Sequence, residues 1–317
     1  MPVPTMEAAC VLSICNFIYL YMDHKTTEDI LLKNISILAQ PTPQESRMVP
    51  DGVGPFPSIE GLKEIMRLVR AIVFPDFFDS RRGDSQMRWF SVGVNVERLY
   101  KLLIAEITSA LHFHRCAGEL NTEAVASNRA TGFIDMLPEV KRLLYTDVEA
   151  IFNNDPAVDN YGEIILSYPV VAAMTHYRTA HALLALGVPV IPRILTEMAH
   201  SATGIDINPG ATIGEYFAID HGTGVVIGQT CVIGNHVTLY QGVTLGARNF
   251  TLDDQGHPVN VPRHPILEDN VTVYSNASVL GRITVGHDSV IGGNVWLTES
   301  VPAGSRILQS KAVNTSK

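Results

Sequence analysis

Cysteine and basic residues are both scarce in this sequence, and each shortage argues against a class of protein. The chain has 317 residues but only 4 cysteines, whose spacing matches neither a metal-binding motif nor a disulfide-stapled scaffold. Its 23 Lys and Arg residues are outnumbered by 32 Asp and Glu residues, which gives a net charge of −9. This balance argues against nucleic acid and against an anionic membrane surface as partners. We expect a protein of the reducing cytoplasm that needs no metal.

Long apolar runs are also lacking. Residues 8–22 come nearest to one, but Ser13 and Asn16 interrupt them. The segment has neither a basic stretch before it nor the length that a membrane span requires. We expect a helix that packs on the N-terminal domain or on a partner, rather than a signal or a membrane anchor.

What the sequence does have is a repeat of six residues that runs from residue 207 to the C-terminal region. Aliphatic side chains recur at this spacing, with a slip of two residues after Ile219 and a long gap after Leu245. A second set of small or aliphatic residues follows four places later, as at Val271 and Ala277, and glycine often stands directly after the first set. The first set consists of Ile207, Ile213, Ile219, Ile227, Ile233, Leu239, Leu245, Leu267, Val273, Val279, Val285, Ile291 and Leu297.

A period of six fits neither a helix, which repeats near 3.6, nor an ordinary strand, which repeats at 2. It is typical of a left-handed parallel β-helix, in which three hexads form one triangular coil and the aliphatic residue of each hexad points inward. Small residues then let the backbone turn each corner. The hexads predict a prism of a little over four coils.

The two halves of the chain have different patterns, and a hydrophobic content of 46% is enough for two cores. Residues 1–204 show helical periodicity, with predicted helices at 59–74, 96–113, 139–152, 169–186 and 192–200. Residues 40–57 are proline-rich and are predicted to be a loop, and residues 1–57 form an extension that we cannot place. The β-helix is predicted over 205–303, followed by a tail over 304–317. Because solenoids need capped ends, we expect the helical domain to cover the first coil and the tail to cover the last.

The repeat is interrupted twice, and interruptions of a solenoid are where function is expected. The first is the two-residue excess between Ile219 and Ile227, which contains Asp220 and His221. In the second, residues 248–262 lose the inward pattern and are predicted to form a long loop projecting from the prism. Arg263-His264-Pro265 follows this loop directly.

Asp206 and His221 are predicted to lie near one edge of the prism. Both would point outward, about one strand spacing apart. This geometry would allow the carboxylate to orient an imidazole that acts as a general base. The spacing alone does not favour this pair over a surface histidine and a turn-capping aspartate.

Five short motifs, taken in order, resemble serine O-acetyltransferases of the hexapeptide-repeat acyltransferase superfamily. They are Asp155-Pro-Ala-Val-Asp159, Asp206-Ile-Asn-Pro209, Asp220-His-Gly-Thr-Gly224, Val243-Thr-Leu-Gly246 and Arg263-His-Pro265. The resemblance covers about half of the chain, and its first motif lies outside the repeats. It implies transfer of an acetyl group from acetyl-CoA to the hydroxyl of L-serine, which is the entry step of cysteine biosynthesis.

The resemblance also implies roles for residues at the matching positions. His221 matches the general base, and Asp206 matches the residue that orients it. Asp155 and Asp220 match carboxylates that bind the amino group of serine.

Other matching positions concern the rest of the substrates. Arg263 and His264 match ligands of the serine carboxylate, since a guanidinium suits bidentate carboxylate binding. The positions that match contacts to CoA are Gly246, Ala247, Tyr274 and Ser275. The loop 248–262 is longer than is usual in the family.

The family resemblance also suggests an assembly and partners. It implies a trimer, or a dimer of trimers, with the substrates bound between adjacent prisms, and it raises L-cysteine as a feedback inhibitor. Many members end in an isoleucine that enters O-acetylserine sulfhydrylase. This sequence ends in Asn314-Thr-Ser-Lys317, so we do not expect a stable complex with that enzyme.

Three other functions are compatible with a prism of this kind. Another CoA-dependent O-acyltransferase would take a sugar or an antibiotic as acceptor. A metal-dependent hydratase similar to γ-type carbonic anhydrases would need three histidine ligands per metal, a spacing that the histidines here lack. A catalytically inactive scaffold would need none of the site residues.

Overall fold

The structure, a computed structural model, describes residues 26–48, 55–79, 85–114 and 121–310. The helix predicted at residues 8–22 lies outside the described residues. The chain divides into two compact units, residues 1–51 and residues 52–317. The first unit contains α1 (Thr27–Leu38) and α2 (Pro43–Met48).

Each of these two helices begins with a capping box, which lets α2 form inside the proline-rich stretch. The N–H of Asp29 donates to the hydroxyl of Thr26 (3.2 Å), and the N–H of Thr26 donates to the Asp29 carboxylate (3.0 Å). Thr42 and Glu45 repeat this arrangement before α2, with distances of 2.6 and 3.1 Å. The prediction of a loop over 40–57 is therefore wrong at α2.

The second unit begins with a helical region. Its helices are α3 (Ile59–Val73), α4 (Pro75–Phe78), α5 (Ser85–His114), α6 (Thr122–Asn154), α7 (Tyr161–Ser167), α8 (Pro169–Ala185) and α9 (Ile191–Thr203). The predicted bounds of α3, α8 and α9 are close to these. Two predicted helices were far too short, since the one at 96–113 is part of α5 and the one at 139–152 is part of α6. In α6 the helix continues through Pro138, which removes one backbone donor without ending the helix.

The β-helix follows as three parallel sheets, one on each side of a triangular prism. The first face has the strand order β1 (Asp206–Ile207), β4 (Val226–Ile227), β7 (Thr244–Gly246), β10 (Ser278–Leu280), β13 (Trp296–Leu297). The second face consists of β2 (Thr212–Ile213), β5 (Val232–Ile233), β8 (Ile266–Leu267) and β11 (Thr284–Val285). The third face consists of β3 (Ala218–Asp220), β6 (Thr238–Tyr240), β9 (Thr272–Val273), β12 (Val290–Ile291) and β14 (Arg306–Ile307).

The six-residue repeat predicted the interior of this prism correctly. Each of the strands β1 to β13 contains one aliphatic residue of the first set, and every one of these side chains is buried. In-register pairing stacks them, so that Ile227 lies between Ile207 and Leu245. Strand β14 extends the third face beyond residue 303, where the prism was predicted to end.

The corners of the prism are turned by residues with a left-handed backbone. At the corner between the second and third faces, Tyr216, His236, Asn270 and Asp288 have φ between 55° and 59°. Asparagine, aspartate and histidine tolerate this region better than most non-glycine residues, so the corner composition follows from the backbone.

Helix α8 covers the first coil, as the capping argument predicted. Its Tyr177 donates its hydroxyl to the carbonyl of Ala211 (2.6 Å), and His181 Nδ1 donates to the carbonyl of Pro209 (2.8 Å). Both carbonyls lie at the N-terminal end of the prism, on the side of the first coil that has no neighbouring coil. These bonds therefore satisfy backbone acceptors that no further coil would reach.

Candidate active site

His221 stands at the corner where the third face leads into the first, directly after β3. Its φ of 58° lies in the left-handed region, and its side chain is 73% exposed. Gly222 and Gly224 also have positive φ, at 86° and 80°, and they form the two-residue excess of the repeat. Because of these two extra residues, the His221 side chain projects away from the prism into solvent. The Nε2 atom lies 3.8 Å from Oδ1 of Asp220.

Asp206 lies at the same corner, at the start of β1. Its Cα pairs with that of Val226, and the N–H of Gly224 donates to the carbonyl of Gly204 (2.8 Å). The loop that carries His221 is therefore stacked directly on the segment that carries Asp206. Among the described residues, no hydrogen bond or ion pair joins the Asp206 carboxylate to the His221 ring, which is turned toward Asp220.

The helical region brings a third carboxylate to this corner, beside Asp206 and Asp220. Asp155 follows α6 directly, and it lines a cavity of about 510 Å³ together with Tyr168, Asp220 and His221. The hydroxyl of Tyr168 donates to Oδ2 of Asp155 (2.7 Å), and the N–H of Ala157 donates to Oδ1 (2.8 Å). These bonds fix the orientation of the carboxylate at the mouth of the cavity.

The same bonds determine the ionisation of the pair. The hydroxyl of Tyr168 and the amide of Ala157 lower the pKa of Asp155, and His221 acts in the same direction. The hydrogen bond to Asp155 in turn raises the pKa of Tyr168 to about 12. Asp155 is therefore an anion at neutral pH, and Tyr168 is a neutral donor.

Arg263 and His264 lie at a different corner, where the first face leads into the second. The Nη1 atom of Arg263 donates to Oδ1 of Asn260 (3.2 Å), and Nη2 donates to Oε1 of Gln229 (3.1 Å). Its Nε is buried and has no hydrogen-bond partner among the residues that the structure describes. An unpaired buried donor is costly, and an anion could satisfy it.

His264 is a buried, neutral histidine. Its Nδ1 accepts from the N–H of Thr230 (3.1 Å) and lies 2.8 Å from the Thr230 hydroxyl, so the ring proton is on Nε2. Burial, followed by the charges of Arg263 and Arg282, lowers the pKa of His264 to about 4. The ring packs over Gly228, where an added Cβ would come within 2.2 Å of Nε2.

The first face separates these two groups within one chain. His221 precedes β4 of that face, whereas Arg263 and His264 follow β7 of the same face. The width of the face is one hexad, on the order of 20 Å at about 3.3 Å per residue. A molecule as small as an amino acid does not reach from one corner to the other.

The four positions matched to CoA contacts are divided in the same way. Gly246 and Ala247 lie at the corner of Arg263, at the end of β7. Tyr274 and Ser275 lie at the corner of His221 but two coils further along, since β3 pairs with β6 and β6 with β9. The ring of Tyr274 stacks on that of Tyr240 with centroids 4.8 Å apart.

Residues 248–262 leave the prism as predicted, but they form a hairpin-like arm. Leu252 and Pro258 make an isolated antiparallel bridge, and the N–H of Val259 donates to the carbonyl of Thr251 (2.8 Å). Asp253 closes the turn by accepting from the N–H of His257 (2.9 Å). The arm folds back so that the chain re-enters the prism at Arg263.

Sequence reasoning missed Tyr168 and Thr230, which orient Asp155 and His264. Tyr168 precedes Pro169, the first residue of α8, and Thr230 lies in an ordinary repeat. Neither position carries a signal in a single sequence. Their roles depend on side chains that are distant along the chain.

A parallel prism with a histidine and three carboxylates at one corner defines the class of this protein, a left-handed β-helix acyltransferase. No protein-family model matches the chain. The plasmid serine acetyltransferase of Synechococcus elongatus is 45% identical over 287 residues, covering 87% of this chain and 90% of that protein. The serine acetyltransferase of Bacillus subtilis is 43% identical over 167 residues, covering 53% of this chain and 73% of that protein.

Solved structures agree with these relatives. Serine acetyltransferase isoform 3 from Entamoeba histolytica, solved in complex with cysteine, matches with a TM-score of 0.68 at 33% identity. The match covers 80% of this chain and 83% of that one. The chain belongs to the serine acetyltransferase family, which confirms the resemblance found in its motifs.

None of the helices within residues 26–48, 55–79, 85–114 and 121–310 combines the length and the apolar character needed to cross a bilayer. Within the same ranges, no three His, Cys, Asp or Glu side chains converge in a way that would hold a metal ion.

Proposed function

We propose that this protein is a serine O-acetyltransferase that acetylates the hydroxyl of L-serine with acetyl-CoA in the cytoplasm. One observation carries the proposal. His221 projects into the mouth of a cavity that also presents two carboxylates, Asp155 and Asp220, in a chain of the serine acetyltransferase family. A base beside two anions suits an acceptor that has a hydroxyl next to an ammonium group.

In the proposed reaction, His221 removes the proton of the serine hydroxyl as the oxygen attacks the thioester carbonyl. The tetrahedral intermediate collapses with cleavage of the C–S bond, and the protonated ring returns its proton to the departing thiolate. A serine hydroxyl is a poor nucleophile at neutral pH, and a positioned base contributes roughly 10²–10⁴ to such a rate. A rotation of the exposed His221 side chain would bring its ring to Asp206, which would then stabilise the imidazolium.

The ends of the serine would be held by opposite charges. The ionised Asp155, fixed by Tyr168, and Asp220 would bind the ammonium group. Arg263, through its unpaired Nε, and the Nε2–H of the neutral His264 would bind the carboxylate.

These two pairs of ligands lie at different corners, so the proposal requires a second copy of the chain. In a ring of three prisms, the His221 corner of one copy would face the Arg263 corner of the next. The same arrangement would bring Tyr274 and Ser275 of one copy toward Gly246 and Ala247 of the other, with acetyl-CoA between them. We therefore propose a homotrimer as the minimal active assembly, and a dimer of trimers is compatible with it.

L-cysteine is the proposed inhibitor. It shares the ammonium and carboxylate groups of serine, and the Entamoeba relative was solved with cysteine bound. In this chain it would compete for Asp155, Asp220, Arg263 and His264.

An acceptor screen with purified protein tests the proposal. Release of free thiol from acetyl-CoA is measured with L-serine, with a galactoside and with chloramphenicol as acceptors. Of the three acceptors, we expect only L-serine to be acetylated. Turnover with the sugar or the antibiotic but not with serine would instead assign another O-acyltransferase, and absence of turnover with all three would contradict the proposal.

A further inference from the structure

A second cavity, of about 310 Å³, lies in the helical region between α3, α4, α8 and α9. Its apolar walls are provided by Met66 of α3, Phe78 of α4 and Met198 of α9. Its volume is at the lower end of the range typical of small-molecule sites. None of its lining residues belongs to the proposed active site.

Arg70 places an uncompensated positive charge in this cavity. Its guanidinium carbon lies 4.0 Å from the centre of the Phe78 ring, and the side chain is half-buried. In the part of the chain that the structure describes, no carboxylate pairs with Arg70 and no acceptor takes a hydrogen bond from it. By contrast, Arg67, one turn earlier on α3, is held by Glu64 at 2.6 Å.

A cation without a partner is unusual in this position. Burial in the helical region lowers the pKa of Arg70, so its charge is held at a cost in solvation. Stacking on Phe78 offsets part of this cost and orients the guanidinium. Its N–H donors have no protein acceptor among the described residues and remain open to a ligand or to water. The arrangement is what a preformed site for an anion requires.

The surroundings of Arg70 also favour an anion. Lys63, Arg67 and Arg70 lie at i, i+4 and i+7 on one face of α3, and all three line the cavity. Three carboxylates act on this row. Glu60 and Glu64 are paired with Lys63 and Arg67, and Asp79, whose charge reaches Arg67, accepts hydrogen bonds from Ser91 and Asn95. The cavity therefore attracts anions although the whole chain carries a net charge of −9.

We propose that this cavity is a binding site for a small organic carboxylate. The planar fork of Arg70 matches a carboxylate in a bidentate manner, and the methionine side chains suit an apolar remainder of the molecule. A doubly charged phosphate would have to be desolvated against the same methionines, which disfavours it. The site is separate from the acetyl-transfer chemistry, so its ligand is not one of the reaction's substrates.

Methyl NMR of the full-length protein labelled with [¹³C-methyl]methionine tests this proposal, with benzoate as the probe and benzamide as its uncharged counterpart. The lines of Met66 and Met198 are assigned by Met66→Leu and Met198→Leu. We expect benzoate to shift these two lines in a saturable manner, and benzamide to leave them in place. No shift of either line at about 50 mM benzoate, a concentration that detects even millimolar binding, would overturn the proposal.

A pair of variants assigns the effect to Arg70. Arg70→Gln should weaken benzoate binding by about tenfold or more, because the charged donors are lost. Arg98→Gln is the matched control. This substitution removes the same charge, but from an exposed ion pair with Glu64. Arg70→Lys keeps the charge without the fork and should fall between the two. Helical circular dichroism and acetyl transfer to serine verify that each variant is folded, and equal affinity in Arg70→Gln and Arg98→Gln would contradict the site.

Discussion

Arg178 and Asp147 form a bidentate ion pair, with both N–O distances at 2.7 Å and both side chains 3% exposed, where the helical region meets the first coil. Arg178 also donates to the carbonyls of Ile213 (3.2 Å) and Gly214 (2.8 Å), at the end of the prism that the helical region covers. One side chain of α8 therefore joins α6 to the β-helix and satisfies edge carbonyls of the first coil.

Replacing Arg178 tests this junction. Arg178→Met leaves Asp147 buried without a counterion and leaves two carbonyls without donors, which is expected to lower the free energy of unfolding by about 3–5 kcal/mol. The midpoint of urea unfolding, at an unchanged slope, measures the loss. In the control Arg193→Met, an exposed ion pair with Glu197 within α9 is removed, and the expected loss is about 0–1 kcal/mol. Equal losses in the two variants would show that the pair does not hold the junction.

The interior of the prism could be predicted from sequence because it depends on a local rule. Each inward residue, from Ile207 to Leu297, is six residues from the next wherever the coil is regular. Every coil therefore buries its aliphatic side chains in the same way. The long α6 was not predicted in full, since Pro138 breaks the local pattern while tertiary packing keeps the helix continuous.

The candidate site was less accessible to sequence reasoning. The corner shared by Asp206 and His221 follows from counting hexads, whereas the turn of the His221 ring toward Asp220 is a side-chain torsion that spacing does not determine. The separation of Arg263 from His221 follows only once each strand is assigned to a face. The roles of all these residues stay predictions, and the following variants test them.

Removing the imidazole of His221 tests the proposed base. His221→Ala is expected to lower kcat by at least about a hundredfold, because the group proposed to take the hydroxyl proton is lost. Initial rates with saturating serine and acetyl-CoA measure the effect. His287→Ala is the matched control, since His287 is also exposed and lies 2.7 Å from an aspartate, Asp288, at another corner. A rate within twofold or so of the wild type in His221→Ala would remove this residue from the mechanism.

Tyr168 is expected to act through Asp155 rather than on the substrate itself. Tyr168→Phe removes the hydrogen bond that lowers the pKa of Asp155, so that pKa should rise toward the ordinary aspartate value. Because only ionised Asp155 attracts the ammonium group, serine binding should then be lost at a higher pH as the solution is acidified. At neutral pH the KM for serine should rise several-fold with little change in kcat.

The acid limb of kcat/KM for serine, measured from about pH 4 to 8, distinguishes this role from simple destabilisation. Tyr161→Phe serves as the control, because Tyr161 is exposed and packs against Phe152 without a hydrogen bond to Asp155. An unshifted acid limb in Tyr168→Phe, or an identical shift in Tyr161→Phe, would exclude the positioning role.

The position of Arg263 at a corner remote from His221 predicts complementation between subunits. His221→Ala and Arg263→Ala should each be nearly inactive at low serine concentration.

If every site takes its base from one copy and its arginine from the next, co-expression of the two variants restores some sites. In those sites, the copy with intact His221 faces the copy with intact Arg263. Random assembly of a ring from equal amounts gives such a pair at about a quarter of the interfaces. Selection through a different affinity tag on each variant removes the homotrimers, and every mixed ring has one such pair among its three interfaces. The purified mixed trimers should therefore recover up to about a third of the wild-type rate. If one chain supplied both residues, every site in the mixture would lack one of them, and the mixed oligomer would be no more active than either variant alone.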